Sequence, residues 1–192
     1  MKTSVIVLIA ILGTLGLGAL WYVSAGNNLV SLDEKVNSSW SQVQNVYQRR
    51  ADLIPNLVNT VKGYAKHESE TLAAITEARA SVGQIKVNSP EDLKKFDAAQ
   101  GQLSNALSRL MIVAEKYPDL KANQNFIELK SQLEGTENRI TVERQRFNES
   151  AREFNTAIRQ FPGSIVAGSK GFKVREYFEA KKGAETAPEV KF

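Results

Sequence analysis

The most apolar stretch of the sequence is TSVIVLIAILGTLGLGALWYV, which covers residues 3–23. It contains no charged side chain, and a helix over its most apolar part, residues 5–23, would nearly cross a hydrocarbon core of roughly 30 Å. Because lipid offers the backbone no hydrogen-bond partners, such a segment has to be helical. Trp21 and Tyr22 close the run, as aromatic rings often do at the headgroup level. The stretch predicts a single-pass membrane anchor.

A cleaved signal peptide is the main alternative to an anchor, because Val23-Ser24-Ala25 resembles a small-residue cleavage site. The apolar run is longer than the roughly 7–15 residues of a signal-peptide core, which favours the anchor. A buried core helix fits poorly, since the run is apolar on every side. The chain contains no cysteine, so it can neither be acylated as a lipoprotein nor form a disulfide.

The charges beside the anchor give only a weak indication of its orientation. Lysine and arginine are scarce on both sides, and we expect the amino terminus in the cytoplasm and the rest of the chain on the extracytoplasmic side of the inner membrane. Ala10, Thr14 and Gly18 form a stripe of small residues through which two such helices can pack. This stripe makes a homo-oligomer one hypothesis, although glycine- and alanine-rich segments also contain such stripes by chance.

The rest of the chain has room for one domain with its own core, since about 165 of the 192 residues follow the anchor. The net charge of +4 is spread along the sequence. A nucleic-acid-binding protein usually carries a basic stripe instead. We therefore expect a membrane contact and no nucleic-acid partner.

Apolar residues after the anchor recur at alternating steps of three and four, which is the pattern of a helical bundle or coiled coil. The pattern predicts helices from Leu29 to about Val82, from Leu93 to Tyr117 and from Phe126 to Phe161. Pro55 should kink or break the first helix near Asp52, and a break would raise the number of helical segments from three to four. The prediction is an all-α fold, in which a transmembrane helix precedes an up-and-down bundle of three to four long helices with coiled-coil seams.

The last thirty residues differ from the bundle in composition, because Gly, Ser, Ala, Lys and Pro dominate them. Their aromatic residues, Phe172, Tyr177 and Phe178, predict that the segment from Phe172 to Ala180 packs back on the bundle with a short helix. The end from Gly183 should be loose. The predicted division is an anchor (1–28), a helical bundle (29–162) and a tail packed in part on the bundle (163–192).

Charged side chains occupy four seam positions where a core usually holds apolar residues. They could form a buried polar network or a groove that binds a ligand. Alternatively, they are charge pairs that set the helix register, or long side chains that reach the surface, and this alternative is the commoner one. The four residues are Arg50, Glu68, Glu137 and Arg144.

The segment around Pro55 is a second candidate interaction site. A turn broken by proline exposes backbone groups, and the neighbouring asparagine side chains offer both donors and acceptors. The alternative, that this turn only shapes the bundle, is equally supported. The candidate residues are Asp52, Pro55, Asn56 and Asn59.

The sequence contains no convincing catalytic or cofactor motif. His67 is the only histidine, so the H-E-x-x-H pattern of a zinc enzyme is absent. Residues 163–170 (GSIVAGSK) resemble a phosphate loop, but the lysine does not follow the second glycine and the segment follows a helix rather than a strand. We predict that the protein is not an enzyme and binds neither a metal nor a cofactor.

Several motifs along nearly the whole chain, taken together, resemble the bacterial LemA family. This resemblance implies a membrane-tethered helical bundle without an established enzymatic activity, and some members of the family belong to magnetosome membranes. Phe147 and Phe154 depart from the pattern, which tends to tyrosine there. The motifs are RADLIPNLV (50–58), VKGYAKHE (61–68), EKYPDLKA (115–122), NF (125–126), ENRI (137–140), Arg144, FN (147–148), FN (154–155), FP (161–162), GF (171–172) and YF (177–178).

Three functions are compatible with these features. The favoured one is a non-enzymatic membrane protein that presents its bundle to envelope proteins as a binding partner or scaffold. The second is a ligand-binding protein with a pocket between helices, lined by the four seam charges. The third is a membrane-shaping protein that self-assembles.

Overall fold

The structure is a computed structural model that describes residues 2–87 and 90–179. The predicted loose end from Gly183 lies outside these residues. The described part contains six helices and no strand, which confirms the all-α prediction. The helices are α1 (Lys2–Tyr64), α2 (Ser69–Gly83), α3 (Pro90–Ala114), α4 (Pro118–Lys121), α5 (Gln124–Arg159) and α6 (Gly163–Lys170).

The first part of α1 is a membrane-anchoring helix. It is long and apolar enough to cross a bilayer, and none of its most apolar window is buried within the protein. Large apolar side chains such as Ile6, Leu17 and Leu20 are exposed there. The rest of the described chain does not cover this apolar surface, so insertion into lipid is what would remove it from water.

α1 continues through Pro55, so of the two predicted alternatives, a kink or a break, the break does not occur. The helix ends instead at Tyr64, shortly after Gly63, and α2 begins at Ser69. The first predicted helix is therefore two helices, divided about ten residues later than the proline suggested.

The carbonyl of Ala51 explains how α1 accommodates Pro55. In a regular helix the N–H of residue 55 would bond to this carbonyl, but proline has no N–H. Arg79, on α2, donates its Nε–H to the Ala51 oxygen at 2.9 Å. The guanidinium thus replaces the missing backbone donor, and it also shows that α2 folds back along α1.

Replacing Arg79 with methionine should destabilise the protein by about 1–2 kcal/mol, because the Ala51 carbonyl loses its donor. In a Pro55→Ala background the backbone N–H can bond to Ala51, so the same replacement should cost less by about 1 kcal/mol. Guanidinium denaturation of the four full-length proteins in mild detergent, followed by circular dichroism, measures this difference. An equal cost in both backgrounds would show that Arg79 does not compensate for the proline.

The chain forms two compact units. The bundle unit comprises Val43–Arg144 and the described residues from Glu176 on, and the anchor unit comprises the residues up to Gln42 and Gln145–Arg175. Each unit contains a separate stretch of α1 and a separate stretch of α5.

In the bundle unit, α1, α2, α3 and α5 contribute to one apolar core, as the spacing of the seam predicts. Leu120 of α4 closes it and is completely buried. The core consists of Ile54, Leu57, Val61, Ala65, Leu72, Ile75, Leu103, Leu107, Leu110, Ala114, Leu120, Phe126 and Leu133.

In the anchor unit, α1 and α5 run antiparallel. Lys35 Nζ lies 2.6 Å from Glu153 Oε2, and the hydroxyls of Ser39 and Ser150 are 2.9 Å apart. Residue numbers therefore fall along α5 as they rise along α1. The core beneath these contacts is formed by Leu29, Val36, Ala151, Phe154, Ile158, Val166 and Ala167.

α6 follows α5 after a tight turn and continues beside α1 in the same direction as α5, since Gly163 lies near Leu29 and Ser169 lies near Tyr22. Gly163 begins it, and a Cβ at that position would collide with the carbonyl oxygen of Ala157, so the close turn requires glycine. Gly171, in the left-handed region with φ of 75°, ends it. The short helix therefore precedes the aromatic residues of the tail, and the segment 172–179 contains none. Phe161, predicted as the last seam residue, is exposed.

Candidate functional site

A layer of polar side chains crosses the bundle unit between α1, α3 and α5. We call it the polar layer. Two of its members sit on each helix, and opposite charges are equal in number, with two arginines and two carboxylates. Its residues are Tyr47 and Arg50 on α1, Asp97 and Ser104 on α3, and Glu137 and Arg144 on α5.

Arg50 is the buried member of the polar layer, with only 5% of its surface exposed. Its Nη1 lies 3.0 Å from Glu137 Oε2, and its Nη2 donates to Ser104 Oγ at 2.9 Å. The Glu137 side chain is 47% exposed, so the pair has one end in the core and the other near water. This arrangement ties α1 to α3 and α5 at one height.

Arg144 forms the second contact between helices in the layer. It donates to Asp97 Oδ1 at 2.8 Å and to the backbone oxygen of Glu179 at 3.1 Å. Its guanidinium carbon also lies 4.4 Å from the centre of the Phe178 ring, within the range of a cation–π contact. Arg144 therefore holds the end of the described chain against α5 as well as pairing with α3.

Tyr47 packs edge-on against Phe96, with 5.0 Å between the ring centres. Burial raises the pKa of its hydroxyl above the ordinary value, while a hydrogen bond from Arg144 and the arginine charges act in the opposite direction. Because burial has the larger effect, the neutral phenol is the form that the fold prefers.

Stability should therefore fall in alkali, and Tyr47→Phe should make the fall smaller. An unfolded tyrosine ionises near pH 10, and the raised folded pKa means that its contribution is complete below about pH 10 and is lost as the pH rises through the folded value. Urea denaturation of both full-length proteins in detergent, at neutral pH and above about pH 10, measures the effect. An identical alkaline loss in the variant would contradict it.

Glu68 lies outside the polar layer, where the α1–α2 connection meets the α3–α4 connection. Tyr117, in the α3–α4 connection, donates its hydroxyl to Glu68 Oε1 at 3.1 Å. This bond raises the pKa of Tyr117, because it favours the neutral phenol. Nearby, Asn123 Nδ2 donates to the Tyr64 hydroxyl at 2.9 Å. We call this part of the bundle unit the connection end.

The candidates around Pro55 form a single exposed stripe on α1. Asp52, Pro55, Asn56 and Asn59 are all exposed and follow the i, i+3, i+4, i+7 spacing of one helix face. Asp52 accepts a hydrogen bond from Gln48 at 2.8 Å. The stripe is a regular helix surface and not the broken turn that the sequence suggested.

The structure thus pairs Arg50 with Glu137, pairs Arg144 with Asp97, and places Glu68 with Tyr117. Asp97 and Ser104 were not recognised from the sequence, because an isolated polar residue beside a seam is common on any helix surface. Tyr117 was predicted only as the last residue of the second seam, and its bond to Glu68 was not predicted. Gln100, one turn from both Asp97 and Ser104, is buried, and its Oε1 has no hydrogen-bond partner among the described residues. In residues 2–87 and 90–179, no three His, Asp or Glu side chains are grouped to hold a metal.

The anchor unit contains a recess of about 460 Å³, which was not predicted from the sequence. Seam charges do not line it. Instead it combines aromatic, small and uncharged polar residues where α1 passes the end of α5. Its lining is Trp21, Ser24, Ala25, Asn28, Leu29, Ala157, Gln160, Phe161, Pro162 and Gly163.

Comparison with known proteins finds similar relatives in at least three organisms. Magnetosome protein MamQ of Magnetospirillum gryphiswaldense is 28% identical over 83% of this chain, and Magnetosome protein MamQ 2 of Paramagnetospirillum magneticum is 27% identical over the same share. Protein LemA of Metamycoplasma hominis is 29% identical over 80% of the chain. The chain covers 66% of the length of each MamQ protein, just under two thirds, and 68% of the LemA protein.

A family model agrees with these relatives. The model of the LemA family matches residues 39–192, which include the whole of the bundle unit and exclude the membrane-anchoring part of α1. The motifs around Pro55, Pro118 and Phe154 all lie within the match. A match over most of the chain shows the family, and this membrane-anchored helical protein belongs to the LemA family.

Proposed function

We propose that this protein is a non-enzymatic, single-pass protein of the bacterial inner membrane that presents its helices to protein partners in the cell envelope. In this proposal the helices lie on the extracytoplasmic side. The charged seam residues serve as links between helices, since Arg50 and Arg144 each pair with a carboxylate on another helix. Their role is then to hold the presenting surface in one shape.

The connection end carries the proposal. Three large apolar side chains are exposed within about one helical turn of it: Tyr64 at the end of α1, Ile112 near the end of α3 and Ile127 near the start of α5. Ile112 is 68% exposed, although buried positions are available to apolar residues on the same helix. Exposed apolar residues that the core does not use are typical of interaction surfaces, where aromatic and aliphatic side chains become buried by a partner.

The exposed stripe on α1 offers a second, polar surface for a partner. Asn56 and Asn59 each present an amide that can both donate and accept hydrogen bonds. Polar surfaces of this kind usually surround an apolar contact. The stripe therefore stays a candidate for the edge of the interface.

Photocrosslinking in the living bacterium tests the proposal. A photoreactive amino acid would replace Ile112 or Ile127 in the full-length protein, with Asn59 as a test of the stripe. Lys94 is the matched control, because it is exposed on α3 like Ile112 but lies 18 residues, or about 27 Å, away along the helix. We expect one and the same protein to be crosslinked from both isoleucine positions and not from Lys94. Equal crosslinking from Lys94, or none from either isoleucine, would contradict the proposal.

The double substitution Ile112→Arg and Ile127→Arg provides an independent check. Both side chains are exposed, so the charges should leave the thermal unfolding of the full-length protein nearly unchanged. If position 59 crosslinks that partner in the unsubstituted protein, the double substitution should abolish this crosslink. A partner that is still captured at normal yield would place the interface elsewhere.

The side of the membrane is tested with reporters fused to the carboxyl end. One reporter is active only outside the cytoplasm and the other only inside it. We expect activity from the outside reporter, which would direct the search for partners to the envelope. Activity from the inside reporter would reverse the proposed orientation.

A further inference from the structure

The corner between α5 and α6 is unusually free of charge. Ten residues, from Gln160 to Ser169, carry no charged side chain, and they lie between Arg159 and Lys170. The facing part of α1 is uncharged as well, since its first charge after the membrane segment is Asp33. Two uncharged stretches that are remote in sequence therefore meet in the anchor unit.

Five close approaches place this corner directly beside the end of the membrane segment. The Trp21 and Phe161 rings are 5.7 Å apart, and the hydroxyls of Tyr22 and Ser169 are 2.6 Å apart. Val166 Cγ1 and Lys170 Nζ lie 3.7 and 3.0 Å from the point that a Cβ on Gly26 would occupy, and Leu29 Cδ2 lies 3.7 Å from the corresponding point on Gly163. α6 therefore packs along residues 22–29 of α1.

If residues 5–23 cross the hydrocarbon core, this part of α1 lies at the depth of the headgroups. Trp21 and Tyr22 end the apolar run, and the headgroup region extends roughly 5–8 Å beyond the hydrocarbon on each side. Residues 22–29 rise about 10 Å, so α6 lies beside the portion of α1 that crosses the interface. Phe161, which stacks near Trp21, shares the depth of that ring.

The corner carries apolar residues on two faces. Val166 is buried against α1 and Ala167 is buried too. In contrast, Phe161 is 76% exposed and Ile165 is 56% exposed. Phe161 is also the last position of the apolar seam, displaced from the core because α5 ends at Arg159. A short helix with one apolar face packed on protein and another facing outward at this depth has the composition of an interfacial membrane contact.

We infer that Phe161 and Ile165 insert into the bilayer interface, so that the corner is a second membrane contact in addition to the span. Lys170 and Arg159, at the two ends of the uncharged stretch, are exposed and suited to anionic headgroups. In this inference the polar side chains that line the neighbouring recess, including Asn28 and Gln160, face the headgroup region of the bilayer. The span and the corner together would fix the angle at which α1 leaves the membrane. A single span on its own leaves this angle free.

Spin labels on single cysteines test the inference, and the absence of natural cysteine makes the labelling specific. Phe161→Cys and Ile165→Cys would be labelled in the full-length protein, reconstituted into vesicles of phosphatidylethanolamine and phosphatidylglycerol. Collision with oxygen, which dissolves in lipid, is compared with collision with a water-soluble nickel complex. Leu20→Cys is the reference for lipid, and Glu149→Cys is the reference for water, since it is exposed on α5 about 18 Å before Phe161.

We expect the oxygen-to-nickel ratio at both corner positions to shift from the Glu149 value toward the Leu20 value. A ratio equal to that of Glu149 would overturn the inference, because the corner would then be in water. Low collision with both reagents would overturn it too, because another protein or a second copy would then cover the corner. Circular dichroism of each labelled variant verifies that the helices are intact, and Phe161→Ser should remove the shift at position 165.

Discussion

Replacing Phe154 with alanine is expected to lower the free energy of unfolding of the anchor unit by about 3–5 kcal/mol. The side chain is completely buried, and its ring meets Phe172 edge-on with 5.7 Å between centres. The guanidinium of Arg175 lies 6.0 Å from the same ring. Alanine would remove buried apolar surface and leave a cavity, so the protein would lose the transfer free energy of the ring and bear the cost of the cavity as well.

Hydrogen exchange of the full-length protein in detergent measures this effect segment by segment. Amides of residues 145–158 should exchange faster, and those of residues 103–114, in the other unit, should change little. Phe154→Leu is the matched control, because it keeps most of the volume and should cost less than about 1.5 kcal/mol. If the alanine variant is as stable as the leucine variant, the surrounding side chains must collapse into the space that the ring leaves.

The Arg50–Glu137 pair should respond unequally to the loss of each partner. Glu137→Ala leaves the buried guanidinium with Ser104 as its remaining described partner, and we expect a loss of roughly 2–4 kcal/mol. Arg50→Met leaves a carboxylate that is about half exposed and can be hydrated, while methionine fills the core, so the loss should be less than about 1 kcal/mol.

Chemical denaturation of the full-length variants tests this order. Glu137→Gln is the informative control, since its amide oxygen can still accept from Arg50 without a negative charge, and it should lie between the two. Equal losses from Glu137→Ala and Arg50→Met would indicate that the pair behaves as a surface ion pair. A larger loss from the arginine variant would show that the stem of Arg50 matters more than its charge.

Much of the helical core was predictable, because it depends on local periodicity. Residues such as Leu57, Leu103 and Ile140 recur at steps of three and four, and they are buried as that pattern requires. The break in the first helix was not predictable from Pro55. The rule that proline breaks a helix assumes that the freed carbonyl stays without a donor, and Arg79 supplies one from 28 residues away.

The candidate site was predictable only in part. Arg50, Glu137 and Arg144 stood out because charge is unusual on a seam. Asp97 and Ser104 did not, because nothing local distinguishes a polar residue that faces another helix from one that faces water. The contact between Arg175 and Asp33, at 2.7 Å, joins residues 142 apart and has no counterpart in any local pattern.

The membrane-anchoring helix, the helical class and the positions of most core residues can be predicted from local sequence. Each depends on composition or on a repeat of a few residues. Three features could be seen only in the folded chain: which charges are partners, where the first helix ends, and the position of Phe161 outside the core beside Trp21. These features depend on side chains from remote segments that meet in space. Their energies arise only when the helices have packed, so no local pattern can encode them.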